Sequence, residues 1–260
     1  MKSVLGICFA VCLTLVSCSA CLAVSLIGLN VRDYGATGNG TTDDTGAFQS
    51  AIDAAVAAGE SAVVVPPGIY RIAGTITLEK LAMNGSSAGT WNADASTLPK
   101  LVCESATGPT VRLLAGGSVH GLQFTRSWSG ATPSSRPPAI TIAGKGCKIT
   151  EVKIVNAWDG ILADGSVDVG QLLIDKCFMV DVHNVGIRLV GASEPSTISR
   201  VEVWSPNSSS FLASGFGLQL AANDSLTVSN CLMFRAHTGF KLVNQVTGCP
   251  IIGPNKVTFS

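Results

Sequence analysis

The sequence predicts an all-β fold, a parallel β-helix in which short strands wind into stacked coils, with a capping α-helix at its amino-terminal end. Two recurring apolar patterns predict the coils, one every 24 to 30 residues and the other every 21 to 31 residues. The 28 glycines of the 260-residue chain are spread along it, which suits many turns between short strands.

The first pattern is an apolar residue followed by two more, three and five positions later. It begins at Val119, Ile149, Ile174, Ile198 and Val228. The second is a small residue followed by alternating apolar positions, and it begins at Ala139, Gly160, Gly186, Gly217 and Gly239. Two short strands that recur in the same order indicate a solenoid, whereas a β-sandwich, the alternative, needs no such order. Coils stacked about 4.8 Å apart would bury one another's apolar columns.

The capping helix follows the adjacent carboxylates Asp43 and Asp44 in "TTDDTGAFQSAIDAA". Either aspartate is placed to accept hydrogen bonds from the first helical turn, and Gly59 stands where a C-cap glycine belongs. One apolar face follows at helical spacing, formed by Phe48, Ala51, Ile52 and Ala55. We expect the helix to cover the open first coil and interpret the two aspartates as structural rather than reactive.

Residues 1–23 are predicted to be a signal peptide. Lys2 precedes an apolar run from Val4 to Val16, and small residues follow it. The run is too short to span a membrane with these flanks. The letters "LVSC", which end at Cys18, also resemble a bacterial lipoprotein processing site, which would leave a lipid anchor on that cysteine. Both alternatives predict export, to the extracellular space or to the cell envelope.

A single β-helix domain is expected over residues 29–260. The letters "PNKVTFS" end the sequence inside what reads as another strand. A stack of coils that stopped there would expose a strand edge and the core behind it. We therefore expect either an incomplete stack or a partner subunit that covers this end and makes the protein an oligomer.

Charge and cysteine content exclude several classes of partner. The formal net charge is zero and 13% of the residues are charged, so we expect neither nucleic acid nor an anionic membrane surface as a partner. Four of the nine cysteines lie in the predicted leader, and the other five are widely spaced without a CxxC pair. They are predicted to be buried thiols rather than zinc ligands.

Two stretches of the sequence resemble a known family. They are "NVRDYGATGNGTTDDTGAFQSAIDAA", Asn30 to Ala55, and "AVVVPPGIYRI", Ala62 to Ile72. Both closely resemble the start of the right-handed β-helices of the pectate lyase superfamily, which includes polygalacturonases, rhamnogalacturonases, phage tailspikes and some epimerases. The resemblance implies right-handed coils and an exported protein that acts on a polysaccharide. It does not specify the reaction, because members of this superfamily catalyse different reactions on one scaffold.

Polygalacturonase-type members of that superfamily carry the signatures NTD, DD, GHG and RIK on successive coils. The first falls on "AWDGI", where Asp159 matches, and the second falls on Asn184 and Val185. The third places Phe216 where the family has histidine, and in the fourth only Lys241 matches. Inverting hydrolysis needs one carboxylic acid and one carboxylate. Because Asp159 supplies only one of the two, the standard polygalacturonase mechanism is not expected.

Polar residues also follow the first pattern at fixed distances, and stacked coils would align them beside Asp159. His183 is a candidate general acid or base, and Asp181 would orient it or act as an acid. Cationic side chains would hold a sugar carboxylate, and Trp158 would stack on a sugar ring. The alternative is that these positions are solvated polar turns. The predicted catalytic residues are Asp159, Asp181, His183, His237 and Lys241. The predicted substrate-binding residues are Trp158, Arg188 and Arg235.

No cofactor is expected. Lyases that resemble this architecture generally bind calcium, and Asp159, Asp164 and Asp168 are close in sequence, but their spacing is not that of a calcium loop. Two polar loops, 84–97 and 126–138, each carry one tryptophan, Trp91 and Trp128, which would either bind sugar or anchor the loops.

The sequence therefore predicts an exported β-helix protein that cleaves an acidic polysaccharide, such as a pectin-type polyuronide, by hydrolysis or β-elimination. The alternative is a non-catalytic carbohydrate-binding or surface-structural β-helix protein. The absence of the paired aspartates favours the alternative, and the cluster of polar residues around His183 favours an enzyme.

Overall fold

The structure, a computed structural model, describes residues 28–86, 99–126, 135–243 and 256–260. These residues form a right-handed parallel β-helix, as the sequence predicted, with three sheets of nine, eight and seven strands. The predicted leader with Cys18, the two loop tryptophans Trp91 and Trp128, and Cys249 lie outside the described residues. In the described part, no helix is long and apolar enough to cross a membrane.

Each sheet collects one strand from each successive coil. Sheet A consists of Leu29–Asn30, Ala62–Val64, Ala82–Asn84, Ser118–His120, Lys148–Thr150, Leu173–Asp175, Ser196–Ser199, Leu226–Ser229 and Val257–Phe259. Sheet B consists of Asn39–Asp43, Ile69–Ile72, Lys100–Cys103, Gln123–Thr125, Lys153–Val155, Phe178–Val180, Glu202–Trp204 and Leu232–Phe234. Sheet C consists of Ile76–Leu78, Val111–Leu113, Ile140–Ile142, Asp159–Asp164, Val185–Val190, Phe216–Ala221 and Thr238–Val243.

A complete coil contains three strands rather than the predicted two. The first apolar pattern spans a corner, because its first residue lies in sheet A and its last lies in sheet B. Because inward-facing apolar side chains continue around the corner, the apolar spacing alone did not show that the chain divides there into two strands. Between the two strands, one residue in the left-handed conformation, with φ between 51° and 65°, turns the chain. These corner residues are Gly121, Glu151, Lys176, Arg200 and Asn230.

The core is the inside of the solenoid. The first members of the apolar pattern pair in register across five strands of sheet A and are buried. Three described cysteines, Cys103, Cys147 and Cys177, are buried free thiols, and Cys231 is a half-buried free thiol. Burial raises the pKa of Cys177 to about 12, which keeps it protonated and unreactive.

Helix α1, Thr45–Ala58, covers the first coil with its four predicted apolar residues buried. Gly59 ends it in the left-handed conformation, as predicted. Asp44 occupies the N-cap position, but its carboxylate does not cap the helix. It accepts hydrogen bonds from the Thr37 and Gly38 backbone N–H groups at 2.8 and 3.2 Å. The buried Asp44 carboxylate thus binds the preceding loop instead of the helix. Asp44 is still structural, as interpreted from the sequence, but it stabilises the loop.

Gln49 of α1 pairs with the first strand of sheet C. Its Oε1 accepts a hydrogen bond from the Thr77 N–H at 3.0 Å, and its Nε2 donates to the Thr77 carbonyl at 3.5 Å. The carboxamide therefore satisfies backbone groups that an edge strand would otherwise expose to a neighbouring chain.

Two further helices complete the described elements, the 3₁₀ helix Val31–Tyr34 and helix α2, Ser209–Ser214. Helix α2 lies in the connection from sheet B to sheet C and buries Phe211 in the main core. Strand pairing keeps its register before this connection, between Phe178–Val180 and Glu202–Trp204, and after it, between Val185–Val190 and Phe216–Ala221.

Candidate functional site

The strands of sheet C hold the residues selected by the motif comparison in register. Asp159 pairs with Val185, Val185 with Phe216, and Phe216 with Thr238. A second row runs through the same four strands three positions later, as Leu162, Arg188, Gln219 and Lys241. The candidate site, which we call the sheet C site, comprises Asp159, Asn184, Arg188, Phe216, Gln219 and Lys241.

Asp159 is the acidic group of the sheet C site. It is only 8% exposed, and Asn184 Nδ2 donates to its Oδ1 at 2.7 Å. Burial raises the pKa of Asp159, although the charge of Arg188 and the hydrogen bond from Asn184 act in the opposite direction. A carboxyl group with a raised pKa exchanges protons closer to neutral pH than an exposed aspartate does.

The second row supplies the basic groups. Arg188 Nε donates to Gln219 Oε1 at 2.7 Å, which fixes the plane of the guanidinium group. Lys241 Nζ lies 4.3 Å from the centroid of the Phe216 ring, a cation–π contact. The sheet C site thus presents one carboxyl group, two cations and an aromatic ring, all held by neighbouring side chains.

His183 lies in the turn between sheets B and C, and both of its ring nitrogens have partners. Nε2 is 2.8 Å from Asn156 Oδ1, and Nδ1 is 3.1 Å from Ser208 Oγ. Asn156 Nδ2 donates to the Arg126 carbonyl, so its Oδ1 faces the imidazole and His183 Nε2 must be the donor. Nδ1 then accepts from the Ser208 hydroxyl. Burial lowers the pKa of His183, while the charge of Asp181 acts in the opposite direction.

The other predicted turn residues also lie where the chain passes from sheet B to sheet C, each in its own coil. Asp181 accepts two hydrogen bonds from Asn207, from the backbone N–H and from Nδ2, each at 3.0 Å. Arg235 and His237 are exposed at the corresponding turn of a later coil, where the His237 N–H donates to the Phe211 carbonyl. Asp181 and Arg235 are both in the left-handed conformation, which the turn requires.

Trp158 is half-buried one residue before Asp159. Its ring is parallel to the His183 imidazole within 4°, with the two centroids 6.3 Å apart. The predicted alignment of these two side chains on neighbouring coils is therefore present.

The structure divides the predicted site residues into two groups. Asp159, Arg188 and Lys241 belong to the sheet C site. Trp158, Asp181, His183, Arg235 and His237 lie in the turns beside it. The roles predicted for the second group in proton transfer and sugar binding stay predictions.

Sequence reasoning missed Gln219 and Ser208 as partners of predicted site residues. Gln219 occupies the same place in "GLQL" as Arg188 in "GIRL" and Lys241 in "GFKL", so the repeat alone would have revealed its row. Nothing in the sequence places Ser208 against His183, because that contact depends on how the inserted α2 folds.

Asp168, one of the three carboxylates weighed as calcium ligands, is engaged by neighbouring groups of the protein. Asp168 binds Lys145 Nζ at 2.9 Å and also accepts hydrogen bonds from Ser193 and the Gly170 N–H. Among the described residues, no group of three or more His, Cys, Asp or Glu side chains is arranged to hold a metal.

Comparison with known proteins supports the fold. Residues 28–99 match the family model described as rhamnogalacturonase A/epimerase, pectate lyase-like. The amino-terminal part of the chain is therefore similar to this family. The match covers α1 and the first coils, and the sheet C site lies beyond it.

Two curated relatives from Azotobacter vinelandii match a short segment of this chain. Mannuronan C5-epimerase AlgE5 is 58% identical over 45 residues, 17% of this chain and 4% of the relative. Alginate lyase 7 is also 58% identical over 45 residues, 17% of this chain and 5% of the relative. The matched segment is thus a small part of each relative.

Solved structures share the fold over most of the chain. The A-module of the Azotobacter vinelandii mannuronan C-5 epimerase AlgE6 superposes with a TM-score of 0.57 at 18% identity, covering 89% of this chain and 62% of that one. Bacteriophage phi29 gene product 12 gives 0.58 at 19% identity, covering 81% and 30%. The tailspike gp49 of Acinetobacter baumannii bacteriophage Fri1, a capsular polysaccharide depolymerase, gives 0.54 at 13% identity, covering 87% and 48%. At these identities the likeness concerns the fold alone.

Proposed function

We propose that this protein binds an acidic polysaccharide on the outer face of sheet C and acts on it by proton transfer through Asp159. The observation that carries the proposal is the buried carboxyl group of Asp159, which lies in the electrostatic field of Arg188 and one strand away from it. Desolvation strengthens such a charge arrangement, and a bound uronate would complete it.

The presence of one carboxyl group, that of Asp159, favours elimination or epimerisation over hydrolysis. Inverting hydrolysis uses two carboxyl groups roughly 6.5–9.5 Å apart, and retaining hydrolysis uses two that are closer. The described part of the sheet C site contains Asp159 alone, accompanied by Arg188 and Lys241. One proton-transfer group together with cations suits removal of a proton beside a sugar carboxylate, the chemistry of β-elimination and of epimerisation.

In the elimination, Arg188 pairs with the carboxylate of a 4-linked uronate and stabilises the negative charge that develops there. The free oxygen of ionised Asp159 takes the proton from C5. The electron pair of that bond forms a C4=C5 double bond, and the bond from C4 to the glycosidic oxygen breaks. The departing oxygen takes the proton from Asp159, which leaves an unsaturated uronate, a new chain end and an ionised Asp159.

Relatives support the class of substrate. The names of the two curated relatives are those of a mannuronan epimerase and an alginate lyase, and one neighbour in fold is a polysaccharide depolymerase. An exported location, in the extracellular space or the cell envelope, is part of the proposal, because long polysaccharides of this kind lie outside cells. The single-domain boundaries, the signal peptide or lipid anchor, and oligomer formation stay predictions.

The test is a screen of the purified protein against acidic polysaccharides, with added calcium and with a chelator. Product would be followed in parallel by the ultraviolet absorbance of unsaturated uronates, by reducing ends and by exchange of C5 protons with deuterated solvent. Absorbance or exchange that Asp159→Asn abolishes supports the proposal. Reducing ends without absorbance would assign hydrolysis instead, and no reaction together with measurable binding would assign the non-catalytic alternative.

A further inference from the structure

The outer row of sheet C has a charge pattern that the proposed reaction does not explain. Arg188 and Lys241 are separated by two coils, and Gln219 stands in the strand between them. With about 4.8 Å between neighbouring parallel strands, the two cationic positions are roughly 9.6 Å apart along the solenoid axis. The elimination proposed above uses only the nearer cation, Arg188, and gives Lys241 no part.

Both cations are held at defined points. Gln219 is 7% exposed and accepts the Arg188 Nε hydrogen bond, so it positions the guanidinium group and adds no charge of its own. Lys241 is held over the Phe216 ring. The rest of the row in the described strands does not extend this pair, since Thr141 and Leu162 are neutral and Arg112 interacts electrostatically with Asp164.

An extended glycan chain offers a matching spacing. One pyranose residue in such a chain advances by close to one coil spacing. In a ribbon with approximate two-fold symmetry, successive residues face opposite ways and alternate residues present the same face. Two cations separated by two coils therefore match the carboxylates of two alternate residues, with one residue between them.

We propose that Arg188 and Lys241 bind carboxylates on alternate residues of one glycan strand that lies along this row. The substrate class is then an acidic polysaccharide in which every second residue carries a carboxylate, and the residue between them is free to be a neutral sugar. The neutral Gln219 fits this arrangement, because a cation at this buried position without a carboxylate partner would be destabilised by desolvation. The inference rests on the proposed function for the location of the site.

Binding of defined trisaccharides tests it. The probes are 1,4-linked trisaccharides of glucuronate (U) and glucose (N), measured by calorimetry with the Asp159→Asn variant so that turnover does not interfere. UNU should bind within about twofold of UUU, whereas UNN and NNU should each bind about tenfold or more weakly, the loss of one charge-assisted hydrogen bond. UUU binding more than about tenfold tighter than UNU would overturn the inference.

Variants of the two cations show which of them binds which end of the trisaccharide. Arg188→Gln should weaken binding of only one of UNN and NNU, and Lys241→Gln should weaken only the other. Lys148→Gln on sheet A, an exposed lysine, is the matched control without effect. Equal losses for both trisaccharides in both variants would overturn the inference, as would the absence of binding to every probe. Because binding is read without turnover, a failed activity screen accompanied by the predicted binding pattern would reject the proposed reaction and retain this inference.

Discussion

The Ser208 hydroxyl donates a hydrogen bond to the Nδ1 atom of the His183 imidazole, 3.1 Å away, and so joins an inserted helix to the preceding coil. Ser208 also caps α2, because its Oγ accepts a hydrogen bond from the Phe211 N–H. On the other side, the imidazole donates to Asn156. One buried chain of hydrogen bonds thus connects three successive turns beside the sheet C site.

This chain predicts a loss of stability in acid. Burial lowers the pKa of His183 in the folded protein, so the unfolded chain binds a proton at this residue more readily. The contribution of His183 is complete above its unfolded pKa of about 6.5 and is lost as the pH falls below that value toward the lowered folded pKa. Thermal unfolding between about pH 5 and pH 8 should show this decline. His183→Gln keeps a donor and an acceptor and should flatten it, while exposed His237→Gln should not; an unchanged slope in His183→Gln would contradict the prediction.

Phe211 should account for most of the stability that α2 contributes. Its side chain is fully buried in the main core, so Phe211→Ala should cost about 3–5 kcal/mol of unfolding free energy. The neighbouring Leu212 is 39% exposed, and Leu212→Ala should change stability by less than about 0.5–1 kcal/mol. Denaturant titration would measure both, and similar effects of the two substitutions would show that α2 is not anchored by Phe211.

Gln49→Ala should expose the edge of sheet C at Thr77. The loss of the two hydrogen bonds should lower the free energy of unfolding by about 1 kcal/mol and increase aggregation at high protein concentration. Ser50→Ala, at an exposed position of the same helix, is the control. Chemical unfolding and light scattering report the two effects separately, and a Gln49→Ala protein as stable and monomeric as the control would refute the role assigned to this side chain.

Asp159→Asn should lower the rate on a responsive polysaccharide by about 10²–10⁴-fold, the usual contribution of a positioned proton-transfer group. The fold should survive, because an amide still accepts the Asn184 hydrogen bond at Oδ1. Asp164→Asn, in the same strand but exposed, is the matched control and should keep the rate. Full activity in Asp159→Asn would remove this residue from the mechanism.

Apolar spacing predicted the coils and their register, because stacking leaves no other way to bury inward residues such as Ile149 and Ile174. It did not show the corner at Glu151, since the inward pattern continues through the bend. Of the two aspartates predicted to bind the first helical turn, Asp43 does so, because its Oδ1 accepts the Thr45 N–H hydrogen bond at 3.1 Å. The Asp44 carboxylate does not, because loop N–H groups at Thr37 and Gly38 compete for its oxygens. Local sequence does not determine the outcome of such a competition.

The second apolar pattern predicted part of the row that contains Arg188 and Lys241, since "GIRL" and "GFKL" place both side chains outward. The environment of His183 was not visible. Its partners come from the turns of two other coils, and the position of Ser208 depends on where the chain of α2 returns to sheet C.

The connection from sheet B to sheet C accepts a helix in one coil, while the strand pairing before and after it keeps its register. In this scaffold the paired strands must repeat from coil to coil, whereas the connections between the sheets are free to vary. Segments inserted at these turns can be exchanged, lengthened or grafted from another coil without redesign of the sheets, and each would stand at the margin of the sheet C site.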